Sequence, residues 1–296
     1  MQRFTVALVW LCVVTVVSDA WSAERIRFRD SKGVIRSVVG ESLVEAQDGG
    51  RLFQADDGRI WTILPEMIES SESDDLPVVP VDDSEIGRRL LGELPAGFSI
   101  YQTTNFVIAH NTNENYVRWV GGLFEQLHRG FFAYWKNQGW DLPKTHFPLV
   151  ALVFADREHY DTYAMNDVGA AAKSTIGYYN LETNRMTTYN VPNAERNVAT
   201  IIHEATHQLA FNTGLQKRYA DNPMWVSEGM AVFLSRQTSA IREVGGPSAK
   251  STLSISIAFD ATRLDVAPNH SRHYWPMTFD FARKQTPRML TAKLGR

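Results

Sequence analysis

The stretch ATIIHEATHQLAF, residues 199–211, places two histidines and a glutamate in what is otherwise the apolar face of a helix. A buried imidazole needs a hydrogen-bonding partner, and a buried carboxylate needs more than one. Alanine or leucine would pack better at these positions. The stretch is therefore either a helix whose polar core residues are satisfied locally, or a helix that is built around a metal ion.

The spacing of the polar residues favours the metal. Asn193 can cap a helix that Gly214 ends, and His203 and His207 are four residues apart on it. Their side chains then lie about 40° apart around the helix axis. Two imidazoles one turn apart can hold a single Zn²⁺ ion, and Glu204 can approach a water on that ion without binding the metal itself. This is the H-E-x-x-H arrangement, with two ligands and a general base on one rigid element.

A third ligand is expected on a following helix. The metzincin arrangement requires glycine at position 210 and histidine at position 213, but the chain has Ala210 and Thr213. The gluzincin arrangement requires a glutamate, and the apolar segment 221–235 contains Glu228, 21 residues after His207. Two histidines and one glutamate leave the fourth position of a tetrahedral zinc ion open, which is typical of a catalytic site.

The paired motifs resemble those of a known clan of enzymes. HEATH (203–207) followed by PMWVSEGMA (223–231) is similar to the gluzincin metallopeptidases, especially to exported members with a Trp-x-x-Glu-Gly third-ligand helix. The resemblance covers about residues 95–285 of the chain.

The resemblance implies both a fold and a set of roles. The fold would be α+β and zincin-like, with a small sheet packed on the active-site helix. One zinc ion would be bound by His203, His207 and Glu228, and Glu204 would be the catalytic general base. By its position before the helix, the segment RMTTYN (185–190) would be the edge strand that aligns a peptide substrate.

The chain departs from the clan in one respect and leaves another open. Well-studied members carry an acidic residue one turn after the third ligand, where it supports a zinc-binding histidine, but this chain has Val232 there. The clan also supplies a tyrosine or histidine to stabilise the oxyanion. The segment 269–279 offers His270, His273 and Tyr274 for this role, and Tyr274 is favoured because it begins an apolar segment.

The N-terminus predicts export. An apolar run over residues 4–17 is followed by small residues, which predicts a signal peptide over residues 1–23 with cleavage between Ala20 and Ala23. The run is shorter than the roughly 20 residues needed to span a bilayer, so no stable membrane insertion is expected after cleavage. Cys12 is the only cysteine of the chain, so the exported product would contain no disulfide.

The rest of the chain, after the predicted signal peptide, divides into three parts. Residues 24–65 contain short alternating segments separated by Asp-Gly and Gly-Gly pairs, which predicts a small antiparallel β module. Residues 66–85 hold eight acidic residues and neither lysine nor arginine, which predicts a flexible linker. Residues 86–296 would form the α+β, zincin-like domain.

These features lead to one functional hypothesis and two alternatives. The leading hypothesis is a secreted zinc-dependent metallopeptidase, which hydrolyses bonds in a peptide or protein substrate with zinc-activated water. A nucleic-acid partner is not expected, since the net charge is −3. The first alternative is a catalytically silent zinc-binding protein of the envelope or the extracellular space, which Val232 favours and an intact Glu204 opposes. The second is a purely structural pair of helices without metal.

Overall fold

The computed structural model describes residues 22–239 of the chain. This part is α+β, with two five-stranded sheets and five α-helices, so the prediction of an α+β protein is confirmed. It divides into two compact units. The first comprises residues up to Phe53 together with Thr62–Val79, and the second comprises Gln54–Trp61 and the residues from Pro80 onward.

The first sheet is a meander with one strand added at its far side. Its strands are β1 (Ser22–Arg29), β2 (Ile35–Glu45), β3 (Arg51–Ala55), β4 (Ile60–Ile63) and β5 (Ile68–Pro77). Their order in the sheet is β4-β3-β2-β1-β5, and β1 pairs antiparallel with both β2 and β5. Gly33, Gly49 and Gly58 occupy the connecting turns with positive φ, as the glycine-containing pairs in the sequence predict.

The acidic segment 66–85 is not a flexible linker, because half of it is the edge strand β5 and its last three residues belong to a helix. The expectation rested on repulsion among the carboxylates of the segment, whereas arginines that pair with one of them lie about 40 residues earlier in the sequence, on β1. Arg27 Nε lies 2.9 Å from Glu69 Oε2, and Arg29 Nη2 lies 3.2 Å from Glu69 Oε1. The first 21 residues of the expected signal peptide, Cys12 among them, lie outside the described part of the chain.

The second sheet has a parallel centre and antiparallel edges. Its strands are β6 (Ser99–Gln102), β7 (Phe106–His110), β8 (Leu149–Phe154), β9 (Gly177–Asn180) and β10 (Arg185–Tyr189). Their order is β6-β7-β8-β10-β9, in which β7, β8 and β10 run parallel to one another. Every residue of β8 is buried, as its continuous apolar run predicts.

The helices cover both faces of this sheet. They are α1 (Asp83–Glu93), α2 (Glu114–Asn137), α3 (Arg157–Asp167), α4 (Ala194–Asn212) and α5 (Met224–Ser239). Successive strand residues point to opposite faces, so Ile108 and Ala151 join the core with α2 and α4, whereas Val107 and Leu152 join the core with α1 and α3. None of the described helices combines the length and the apolar character needed to cross a membrane.

The edge strand nearest α4 is β9, so the assignment of that place to residues 185–190 is wrong. The expected hairpin exists, since β9 and β10 pair antiparallel from Gly177↔Thr188 to Asn180↔Arg185. However, β10 pairs with β8 on its other side and is therefore internal. The periodicity of two adjacent strands predicts that they pair, but it does not predict which of them joins the rest of the sheet.

Strand β9 lies close against α4 because its first residue has no side chain. A Cβ atom at Gly177 would lie 2.7 Å from Thr200 Cγ2 and 3.2 Å from the carbonyl oxygen of Thr187. The first distance is far below van der Waals contact, so a larger residue would push the strand away from the helix. Glycine here therefore sets the spacing between the sheet edge and α4.

We expect Gly177→Ala to lower the free energy of unfolding by about 1–3 kcal/mol, the usual cost of overpacking a well-packed site. Gly122→Ala is the control, because Gly122 lies on the exposed face of α2 with nothing within 4 Å of the added Cβ atom. It should leave stability unchanged or raise it by up to about 1 kcal/mol, since alanine is the better helix former. Urea unfolding of the two variants beside the wild type measures the difference. Equal stability of both variants would show that the close approach of β9 to α4 is wrong.

Candidate metal centre

Helix α4 is the element that presents the H-E-x-x-H residues. It begins after Asn193, whose side chain accepts a hydrogen bond from the backbone N–H of Arg196 at 2.8 Å, as the sequence predicts. Ile201, Ile202 and Ala205 belong to the core that α4 shares with the second sheet. Burial of this apolar face fixes the rotation of the helix, and the polar residues between these positions are held in a defined direction.

Helix α5 brings the third candidate to α4. It packs along α4 and inserts Ala231 and Leu234 into the interior, where both are almost completely buried. Glu228 lies one turn before this buried pair and faces α4. The expectation that a second apolar helix carries the glutamate is therefore confirmed in its geometry.

Three side chains from the two helices converge on one point. The Nε2 atoms of His203 and His207 lie 3.2 Å apart. Glu228 Oε2 lies 3.3 Å from His203 Nε2, and Glu228 Oε1 lies 3.6 Å from His207 Nε2. Among the described residues, this is the group of histidine and carboxylate side chains that could hold a metal ion.

The composition of this cluster fits a cation. Two neutral imidazole nitrogens and a carboxylate oxygen each direct a lone pair to the same place, and a shared positive charge is what stabilises such an arrangement. His207 is buried, whereas His203 and Glu228 are only partly so, which leaves the cluster accessible from one side. The three residues could therefore bind a metal ion and leave a position open to the solvent.

The electrostatics of the two histidines differ. Burial lowers the pKa of His207 to about 4, helped by the charge of His203 and opposed by Glu228. Burial also acts to lower the pKa of His203, but the hydrogen bond with Glu228 and the charges of Glu204 and Glu228 outweigh it and raise that pKa above its ordinary value. In the absence of a metal, His203 is thus the histidine that a proton occupies first.

Glu204 stands beside the cluster and is held by the sheet. Its Oε2 atom accepts a hydrogen bond from the backbone N–H of Tyr179 in β9, at 3.0 Å. Burial raises the pKa of Glu204 to about 7; the charge of His203 opposes this shift, that of Glu228 adds to it and the Tyr179 hydrogen bond opposes it. One carboxylate oxygen is thus fixed by the edge strand.

Sequence reasoning did not identify the residues that contact the far side of His207. Its Nδ1 atom lies 3.3 Å from Ser227 Oγ, and this hydroxyl donates to Gln216 Oε1 at 3.1 Å. Val232, which occupies the place of the clan's supporting acid, has an exposed side chain. The one signal in the sequence is that Ser227 directly precedes Glu228, and this by itself assigns no contact to it.

The remaining candidates divide into two groups. His270, His273 and Tyr274, considered for oxyanion stabilisation, lie outside the described residues. His110 and His159 lie within them and bind Thr112 and Asp156 respectively, apart from the three converging side chains.

Comparisons with known proteins match this region to one family model and assign no activity to it. A family model described as a protein of unknown function (DUF1570) matches residues 197–290, which include most of α4, all of α5 and residues beyond the described part. Comparisons with the curated proteins and with the solved structures find no match to the chain. The matched region contains all three potential metal ligands and Glu204.

Proposed function

We propose that this protein is an exported zinc-dependent metallopeptidase that hydrolyses peptide bonds. The observation that carries the proposal is the convergence of His203 Nε2, His207 Nε2 and the Glu228 carboxylate beside a buried Glu204. A structural metal site needs four protein ligands and no neighbouring base. Three ligands with an adjacent carboxylate of raised pKa are the composition of a hydrolytic site.

The distances among the three ligand atoms favour zinc. Two atoms that each lie 2.0–2.1 Å from a tetrahedral ion are separated by about 3.3–3.4 Å. The two Nε2 atoms lie 3.2 Å apart, close to this value. One oxygen of Glu228 lies 3.3 Å from His203 Nε2 and the other lies 3.6 Å from His207 Nε2, so a modest shift of the carboxylate would bring one oxygen to the same ion. When bound, zinc supplies Lewis-acid activation of a water molecule and of the scissile carbonyl group.

Glu204 would act as the general base. It follows the ligand His203 directly in the helix, and the Tyr179 N–H holds its Oε2 atom in place. A pKa of about 7 is well suited to a group that must accept a proton from water and then deliver it to the leaving amine near neutral pH. An exposed glutamate, with a pKa near 4.5, would be a weaker base.

The edge strand β9 would align the substrate. Tyr179 gives its N–H to Glu204 rather than to β10, so the backbone of Tyr179 faces outward, and that of Gly177 faces the same way. An extended peptide added along this edge gains backbone hydrogen bonds and runs past Glu204. This arrangement supports a peptide or protein substrate and a zincin-like fold for the second unit.

Export is part of the proposal because of the apolar run and small residues within residues 1–23. A catalytically silent zinc-binding protein is the alternative, and Val232 in place of a supporting acid is the feature that favours it. The two are distinguished by activity at full metal occupancy, as set out below.

The purified mature protein should contain one zinc ion per chain by elemental analysis. His203→Ala and Glu228→Ala should lose it, because each removes one of the three ligands. His146→Ala is the control, since His146 is exposed and lies apart from the cluster, and it should keep full occupancy. A wild-type protein that contains no zinc after purification without chelators, and takes up none on titration, would exclude the proposal.

Glu204→Gln should retain zinc and lose hydrolysis of a diverse peptide library by about 10²–10⁴-fold. Glutamine keeps the size of the side chain, but an amide cannot accept the proton from water. Glu195→Gln is the matched control on the same helix, because Glu195 is exposed in the first turn, and it should cleave as fast as the wild type.

Zinc occupancy is measured in all three proteins, so that activity is compared at equal metal content. Cleavage by Glu204→Gln at the wild-type rate would remove Glu204 from the mechanism. Fully loaded wild-type protein that cleaves nothing in the library would support the silent binding protein instead.

Metal-free Glu204→Gln should be more stable than metal-free wild type at pH 8, by about 1–3 kcal/mol. The pKa of Glu204 is about 7 in the folded chain against 4.5 for the exposed group. The folded state therefore binds more protons than the unfolded state between these values, and wild-type stability falls as the pH rises through this range. The difference between the two proteins should become small near pH 4. Urea unfolding in the presence of a chelator measures it, and equal stabilities at pH 8 would contradict the raised pKa.

A further inference from the structure

We propose that Ser227 and Gln216 orient His207 for metal binding, through a chain of two hydrogen bonds that runs from the imidazole to the amide. Ser227 and Gln216 are positioning residues in this role, since neither reaches the point where the three ligand atoms converge. The proposal rests on the metal site of the proposed function and adds to it the means by which His207 is held.

The direction of these two hydrogen bonds follows from which atoms of His207 and Ser227 carry a proton. Binding of a metal at His207 Nε2 requires a lone pair on that atom, and the neutral ring then carries its proton on Nδ1. That proton needs an acceptor, and Ser227 Oγ lies 3.3 Å away. The hydroxyl has one proton of its own, which it donates to Gln216 Oε1 at 3.1 Å. The ring N–H and the Ser227 hydroxyl thus each have an acceptor, and the Nε2 lone pair faces His203 and Glu228.

The chain joins three separate segments of the second unit. His207 lies on α4, Ser227 lies on α5 next to the ligand Glu228, and Gln216 lies in the connection between the two helices. Gln216 is buried, and its backbone N–H donates to the carbonyl of Ala210 at 2.9 Å, which holds it against the end of α4. The same turn of α5 therefore supplies one metal ligand and the hydrogen-bond partner of another.

The reverse direction of the chain would oppose metal binding. If the Gln216 amide donated to Ser227, the hydroxyl would donate to His207 Nδ1, and the ring proton would then sit on Nε2 among the ligand atoms. The two directions therefore assign different tautomers to His207. Nitrogen chemical shifts distinguish these tautomers in the metal-free protein, so this readout does not depend on activity or on bound zinc.

The hydrogen-bond partner of His207 is a neutral hydroxyl, which is itself bonded to a neutral amide, rather than a charged carboxylate. Val232 leaves α5 without an acid one turn after Glu228, and the Ser227–Gln216 pair orients the ring without adding negative charge to it. Hydrogen-bond partners of metal-binding histidines typically contribute 10- to 100-fold to metal affinity. We expect a loss in that range when the hydroxyl is removed.

The test compares Ser227→Ala with Ser235→Ala, a serine on the same helix whose hydroxyl donates to the carbonyl of Val232 at 3.0 Å. Zinc affinity is measured by competition with a chelator, and the His207 tautomer by ¹⁵N NMR of chelator-treated protein at pH 7, assigned with a His207→Gln variant. Ser227→Ala should bind zinc 10- to 100-fold more weakly and lose the uniform Nδ1-protonated tautomer. Ser235→Ala should match the wild type in both.

The Ser227→Thr variant distinguishes loss of the hydroxyl from a change in helix packing. It keeps the hydroxyl and should restore both the affinity and the tautomer, whereas a variant that failed only through altered helix packing would not be rescued. Gln216→Leu, which keeps the approximate size but offers no acceptor, should behave as Ser227→Ala does. Circular dichroism establishes that each variant is folded.

Four outcomes support or overturn the role of Ser227 and Gln216. Weaker binding and a mixed tautomer in Ser227→Ala and Gln216→Leu, with Ser235→Ala and Ser227→Thr like the wild type, support the proposal. Unchanged affinity and tautomer in Ser227→Ala overturn it while leaving the metal site intact. An Nε2-protonated His207 in the wild type also overturns it, since the chain would run in the reverse direction. A wild-type protein that binds no zinc overturns both this inference and the proposed function.

Discussion

The close approach of two imidazoles and a carboxylate is the constraint on which the second unit depends. The two Nε2 atoms lie 3.2 Å apart between two helices, the oxygens of Glu228 lie 3.3 and 3.6 Å from them, and His207 is buried. Such a group is costly to assemble, because burial removes part of the hydration of each member. It is maintained by the apolar faces of α4 and α5, which fix the rotation of each helix, and by the contact of His203 with Glu228; a bound cation would stabilise all three side chains together.

Glu204 connects this cluster to the sheet. Its carboxylate would be expected to turn toward water or toward the ligands, but the Tyr179 N–H of β9 holds one oxygen and Gly177 lets that strand lie close enough to do so. Burial of the Glu204 carboxylate raises its pKa, since a carboxylate with one backbone donor is less well solvated than a carboxylate in water. Side chains with strongly shifted pKa values cluster at functional sites, which is why Glu204 carries the role of general base in the proposed function.

Some charged side chains pair with partners that lie far away in the sequence, where an analysis of neighbouring residues does not find them. The neighbouring carboxylates of β5 repel one another. The strand is nevertheless formed, because it pairs with β1, whose arginines alternate along one face. The same holds on a smaller scale at the candidate metal centre, where Ser227 of α5 and Gln216 of the preceding connection form the hydrogen bonds on the Nδ1 side of His207. In both cases the compensating group is remote in sequence and adjacent in space.

Local periodicity was sufficient to predict several features. The four-residue spacing of His203 and His207 determines that they share a helix face, and the Asn193 cap and the buried run of β8 follow from their own neighbourhoods. Glu228 could also be anticipated, because a glutamate in an apolar helix needs a partner. Only the tertiary structure decided that β9 rather than β10 is the edge, that β5 is a strand, and that Ser227 and Gln216 contact His207. These depend on which segments pack together, and packing depends on the shape and charge of surfaces contributed by distant parts of the chain.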